Sequence, residues 1–180
     1  MRLLVTGFGP FPSVDDNPSG ALARSLDGRT LGGVTIAGVW VPTSWRAAWP
    51  TIVAAVARCR PRALVMLGVA STRAAVAVER VAVNEAAARR DVDGALPEAA
   101  TILADAPARL TTTLPWSTLV GDGVVASDDA GRYLCNYVFF RALAELEVPV
   151  RGFVHMPTDG AAQARALLER LARALVVEDV

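Results

Sequence analysis

The chain has 180 residues, 53% of them hydrophobic and 20% charged, and its eighteen basic residues balance eighteen acidic ones. That is the size and apolar content of one globular domain with a substantial core, here spanning 1–180. The even charge gives no electrostatic footprint for nucleic acid or an anionic membrane, and one histidine with two distant cysteines offers neither a zinc-type ligand cluster nor a disulfide framework.

The first apolar run, Leu3–Thr6, reads as a strand that breaks at Gly7, Gly9 and Pro10. It is too short for a signal-peptide core or a membrane span, so a cytoplasmic location with reduced thiols is expected. The stretch GFGPFPS lacks the third glycine of a dinucleotide fingerprint and has no Gly-Lys-Ser/Thr. Pro10 and Pro12 also lack the amide donors a phosphate would use. Two readings remain: a tight strand-to-loop turn, or a loop whose Phe8 and Phe11 sandwich a small flat ligand.

Asn17 and Pro18 predict the cap and first turn of a helix to about Leu26. Val34–Val41 predicts a strand, and Ser44 a cap for a helix over Trp45–Arg58 that ends before Pro61. Strands are expected at Ala63–Val69, Val76–Val83, Val124–Ala126 and Gly152–Met156. They are rich in Val and lack polar alternation, as strands buried on both faces do. Between and after them, Ala130–Glu147 carries Leu134, Val138, Ala142 and Leu146 at helical spacing, and Ala161–Val176 is an amphipathic helix. Strands alternating with helices predict an α/β fold: a three-layer α/β/α sandwich around a twisted, mixed, mostly parallel sheet. The ligand crevice of such a fold lies at the carboxyl ends of its strands.

Chemistry is carried by few residues. A free cysteine on an amphipathic helix is usually an inert small hydrophobe, and Cys59 reads that way. Cys135, in AGRYLCNY, follows the cap candidates Ser127, Asp128 and Asp129 and so falls near a helix N-terminus. That position favours a thiolate by about 0.3–1 kcal/mol. At an ordinary pKa of about 8.5 this is not enough, and a histidine base is the larger lever. His155 is the one imidazole in the chain and ends an apolar strand, RGFVHMP. It reads either as a histidine satisfied by its neighbours or as that base. Glu79, in VAVERVAVN, is costly to bury without a partner; it either faces water or pairs. Together the three supply a nucleophile, a base and a group to orient the base.

Six motifs stand in order along essentially the whole chain: LVTGFGPF, NPS at 17–19, ERVAVN at 79–84, TTLP at 112–115, AGRYLCN at 130–136 and GFVHMP at 152–157. With them the chain resembles the cysteine peptidases of the pyroglutamyl peptidase I family, also called pyrrolidone-carboxylate peptidases. The resemblance implies removal of N-terminal pyroglutamate from peptides through an acyl-enzyme, on an α/β/α sandwich commonly assembled as a homotetramer, with no cofactor or metal. It implies Cys135 as nucleophile, His155 as general base and Glu79 as the residue that orients it. Phe8 and Phe11 would flank the pyrrolidone ring, Thr43, Val69, Tyr133 and Leu134 would line its pocket, and Arg89 would stand near the oxyanion. Three departures from the family pattern are cationic or adjoin a cation. ASTR replaces a glycine-rich loop but keeps its arginine, Arg73. Arg90 stands where an apolar pocket residue is expected, and Arg132 where a small one is. Two other activities fit the same residues: a pyroglutamyl-binding protein with weak turnover, or a thiol amidase for another small lactam. The expected partners are pyroglutamyl peptides, with no nucleic acid and no membrane.

Overall fold

A computed structural model of the chain describes residues 1–11 and 16–178; Pro12 lies outside the described residues. The valine-rich runs form the interior strands. β1 (Arg2–Phe8), β3 (Val34–Val41), β4 (Ala63–Val69) and β9 (Val150–Met156) pair in parallel at the centre of a seven-stranded sheet. Its full order is β2-β3-β1-β4-β9-β5-β8, with β2 at Thr30–Leu31, β5 at Val76–Glu79 and β8 at Val124–Ser127.

Both faces of this sheet are apolar because both are covered. Leu3, Val5, Val65 and Val154 face α1 (Pro18–Leu26) and α5 (Ala161–Glu178). Leu4, Leu64, Met66 and Phe153 face α2 (Ala48–Cys59) and α4 (Leu134–Glu145). The missing polar alternation follows from burial on both sides. The layers and the mixed, mostly parallel sheet are those the sequence predicts.

α1 begins where expected: Asn17 Oδ1 accepts from Ser19 N at 3.1 Å, with Pro18 in the first turn. Gly7 has a packing reason. A Cβ there would collide with the Ser19 carbonyl, so the glycine lets the start of α1 rest against β1.

Other expectations need correction. The run Val76–Val83 is two strands, not one. At Arg80 the chain leaves the main sheet, and β6 (Val81–Val83) pairs antiparallel with β7 (Arg109–Thr111) in a separate ribbon. α2 begins at Ala48, because Ser44 shapes the preceding turn, its carbonyl accepting from Ala48 N. α4 begins at Leu134 rather than Ala130. Gly131 takes φ 77°, Tyr133 is extended, and no side chain caps the helix. Asp129, a cap candidate, instead accepts from Gly131 N and from Arg132. β2, β7 and α3 (Trp116–Leu119) are too short for periodicity to reveal. Among the described residues no helix is long and apolar enough to cross a membrane.

One deviation from parallel pairing places chemistry. β5 runs antiparallel to β9, with Ala77 opposite His155 and Glu79 opposite Phe153. Residues two apart on a strand share a face, so Glu79 and His155 become diagonal neighbours on the face covered by α4.

Candidate active site

At the carboxyl ends of β1, β4 and β9, a cavity of about 170 Å³ opens beside the start of α4. Cys135 and His155 line it from opposite elements. Phe8, Phe11 and Thr43 form one wall; Val69, Tyr133 and Leu134 contribute others, and Arg89 reaches its rim. Of the catalytic, oxyanion and pocket residues expected from the sequence, only Glu79 stays outside the cavity, behind His155.

His155 Nδ1 lies 2.7 Å from Glu79 Oε1, and the two side chains are almost wholly buried. Donation from Nδ1–H to the carboxylate fixes the tautomer and leaves Nε2 free as an acceptor on a ring that lines the same cavity as Cys135. Burial alone would pull the His155 pKa down. The neighbouring Cys135 and the hydrogen-bonded Glu79 outweigh it and raise the pKa from 6.5 to about 9. Cys135 is partly exposed in the first turn of α4. The intrahelical ladder starts with Tyr137 N donating to Tyr133 O, so the amides before it have no acceptor within the helix.

The walls are tied down by hydrogen bonds that carry no sequence signature. The Gly9 carbonyl accepts from Asn17 Nδ2 at 2.8 Å and Thr43 Oγ1 at 3.0 Å, which sets the loop between Phe8 and Phe11. Asn136, fully buried next to Cys135, exchanges bonds with Val83 N and O and donates to Glu85 O, so α4 is docked on β6 like a strand partner. The loop from 84 to 108 is held by buried Asp91, whose carboxylate accepts the amides of Trp45, Asp93 and Ala95 at 2.7–2.9 Å. That loop brings the Arg89 guanidinium to 4.6 Å over the Tyr133 ring.

Four arginines find their places. Arg89, not Arg90, reaches the cavity; Arg90 turns back to the Gly94 carbonyl in its own loop. Arg132 pairs with Glu85 and Asp129 at the surface. Arg73 approaches Glu79 at 2.9 Å. Sequence reasoning missed Asn17, Ala130 and Gly131 in the cavity wall, although all three lie inside its quoted motifs.

It also missed Gly68. This buried residue of β4 pairs with His155, and a Cβ on it would fall 2.9 Å from Cys135 Sγ and 2.7 Å from the Phe153 ring. Both neighbours are packed, so the thiol must move. Gly68→Ala is expected to lower kcat/KM about 100-fold by misplacing the sulfur. It should also lose about 1–3 kcal/mol of stability from overpacking. Steady-state rates and a denaturant titration measure the two; full activity in a folded Gly68→Ala variant would show that the glycine does not set the thiol position.

Comparison with known proteins agrees with this layout. The family model described as pyroglutamyl peptidase matches residues 1–165. The pyrrolidone-carboxylate peptidase of Halalkalibacterium halodurans is 34% identical, over 99% of this chain and 98% of its own. That of Cupriavidus necator is 39% identical over 86% of this chain and 77% of its own. Among solved structures, pyrrolidone carboxyl peptidase from Thermococcus litoralis superposes with a TM-score of 0.89 at 27% identity, covering 99% and 95% of the two chains. Bacillus amyloliquefaciens pyroglutamyl peptidase I gives 0.87 at 27% identity, covering 96% and 95%. A family match over most of the length, relatives above 30% identity and a shared mixed sheet together place the chain in the pyroglutamyl peptidase family.

Proposed function

We propose that the chain is a cysteine exopeptidase that removes N-terminal pyroglutamate from peptides through Cys135, His155 and Glu79. The observation that carries the reading is the buried His155–Glu79 hydrogen bond, 2.7 Å long, in a cavity wall shared with a thiol at an uncapped helix start.

Cys135 thiolate attacks the pyroglutamyl carbonyl, and the tetrahedral oxyanion is held by amides at the start of α4 together with Arg89. Such a donor typically contributes about 3–4 kcal/mol. His155 gives its proton to the departing amine, which leaves as the shortened peptide and a thioester on Cys135. The neutral imidazole then takes a proton from water, which attacks the thioester, releases pyroglutamate and restores the ion pair. Glu79 keeps Nδ1 protonated throughout. Phe8 and Phe11 take the faces of the lactam ring, and the small cavity excludes larger side chains. Polar contacts to the lactam N–H and C=O would reject a prolyl group, whose ring lacks that pair.

The test is incubation with pyroglutamyl and prolyl aminomethylcoumarin amides, followed by acid quench and mass spectrometry. Coumarin release from the first alone, with a pyroglutamyl mass on the peptide containing Cys135, is the expected result. Turnover without a Cys135 adduct in rapid-quench samples, and undiminished after Cys135 is alkylated, would sink it.

A further inference from the structure

Glu79 is 0% exposed, and a carboxylate so buried is strongly disfavoured unless a positive charge stands against it. Two groups do so, and both use one oxygen. Oε1 lies 2.7 Å from His155 Nδ1 and 2.9 Å from Arg73 Nη2, while Oε2 has no hydrogen-bond partner among the described residues. Arg73 belongs to the loop between β4 and β5 and is fixed from its outer side. The same Nη2 donates to Ser127 Oγ at 3.0 Å and to the Asp129 carbonyl at 2.8 Å, both on the far rim of the sheet. Arg73, Glu79, His155 and Cys135 thus stand in a row of alternating sign when the thiol is ionised. Also near the row are the neutral Phe153 ring from β9, 4.8 Å from the His155 ring, and Arg89 and the Tyr133 phenol, which line the same cavity.

We propose that Arg73 is a positioning residue of this site: its guanidinium holds Glu79 ionised, balances the four-group row to zero net charge and thereby sets the pH range over which Cys135 and His155 exist as an ion pair. The proposal rests on the Cys135–His155 pair proposed above. Its physical content is a proton balance. A cation 2.9 Å from Oε1 compensates the buried carboxylate charge that faces Nδ1–H, which favours the proton on the imidazole, where the leaving amine needs it. Without Arg73 the row carries one excess negative charge in a desolvated place, and every acid in it binds protons more tightly.

The experiment compares wild type with Arg73→Gln, Arg73→Lys and Ser127→Ala. It reads the pH dependence of kcat/KM and of iodoacetamide alkylation of Cys135, followed on its own peptide so that Cys59 does not contribute. Arg73→Gln should raise the acid limb of both profiles by about one pH unit and lower kcat/KM at pH 7 about tenfold. Arg73→Lys keeps the charge but loses the fork to Ser127 and Asp129, so it should melt earlier yet keep the wild-type limbs. Ser127→Ala keeps the guanidinium on Glu79 and should leave the limbs in place. Lower activity with unmoved limbs in Arg73→Gln overturns the proposal, as does an equal shift in Ser127→Ala. Should Arg73→Gln not fold, a shifted acid limb in Arg73→Lys overturns it instead. A wild-type Cys135 that alkylates as an ordinary thiol overturns the ion pair itself, a failure distinct from the others.

Discussion

Replacing Cys135 with Ala is expected to lower kcat/KM for a pyroglutamyl amide by at least about 10⁴-fold while free pyroglutamate still binds within about threefold of the wild-type affinity. The sulfur supplies the bond-forming atom, so nothing in the cavity replaces it. On the proposed reading the ring is held by Phe8, Phe11 and the loop fixed on the Gly9 carbonyl, which the substitution leaves unchanged. Rate measurements and titration calorimetry on the same preparation separate the two effects. If wild-type protein binds pyroglutamate and cleaves no pyroglutamyl amide, the chain is a binding protein on a peptidase fold. If Cys135→Ala keeps its turnover, the nucleophile lies elsewhere.

Glu79→Gln is expected to be the second largest loss, about 10³-fold in kcat/KM. The substitution keeps the shape and an acceptor for Nδ1–H but removes the charge. The sign follows from what acts on His155. Burial lowers its pKa, whereas Cys135 and Glu79 raise it to about 9. With one of the two raising groups neutralised, burial is less opposed and the imidazolium gives up its proton at lower pH. The alkaline limb of kcat/KM, near pH 9 in wild type, should therefore move down toward the ordinary imidazole value of about 6.5. Arg73→Gln raises the acid limb instead, so the two variants part in limb and in direction. An alkaline limb that stays put in Glu79→Gln would mean that the carboxylate holds the ring in place without setting its charge.

What could be read from the chain, and what could not, divides by sequence distance. Cys135, His155 and most of the cavity wall sit inside short motifs; Thr43, Val69 and Arg89 do not. The helices and central strands were legible for a similar reason: each announces itself by local periodicity, as in the valine runs of β3 and β4. The helix start before Cys135 was misplaced because Ser127 and Asp129 have more than one use. As sequence they look like caps; in the fold Ser127 accepts from Arg73 and Asp129 from Gly131. Glu79 was legible as a misfit among valines, yet the antiparallel strand that turns it toward His155 was not, since pairing direction leaves no mark on composition. Gly68 and Arg73 show the limit most clearly. One acts by lacking a side chain where a sulfur from 67 positions later must fit, and the other by meeting an oxygen buried on a different element.

Asp91 has a consequence for the thermodynamics of recognition. Residues 84–108 contain no helix or strand, and chains of that kind usually lose about 1–2 kcal/mol of backbone entropy per residue when a ligand orders them. Here three amides already converge on one carboxylate, and Trp45 adds a bond from its indole N–H to the Arg89 carbonyl. The wall that carries Arg89 is therefore ordered before any peptide arrives. A ligand as small as one lactam ring has little surface with which to organise a loop, and this loop does not ask it to.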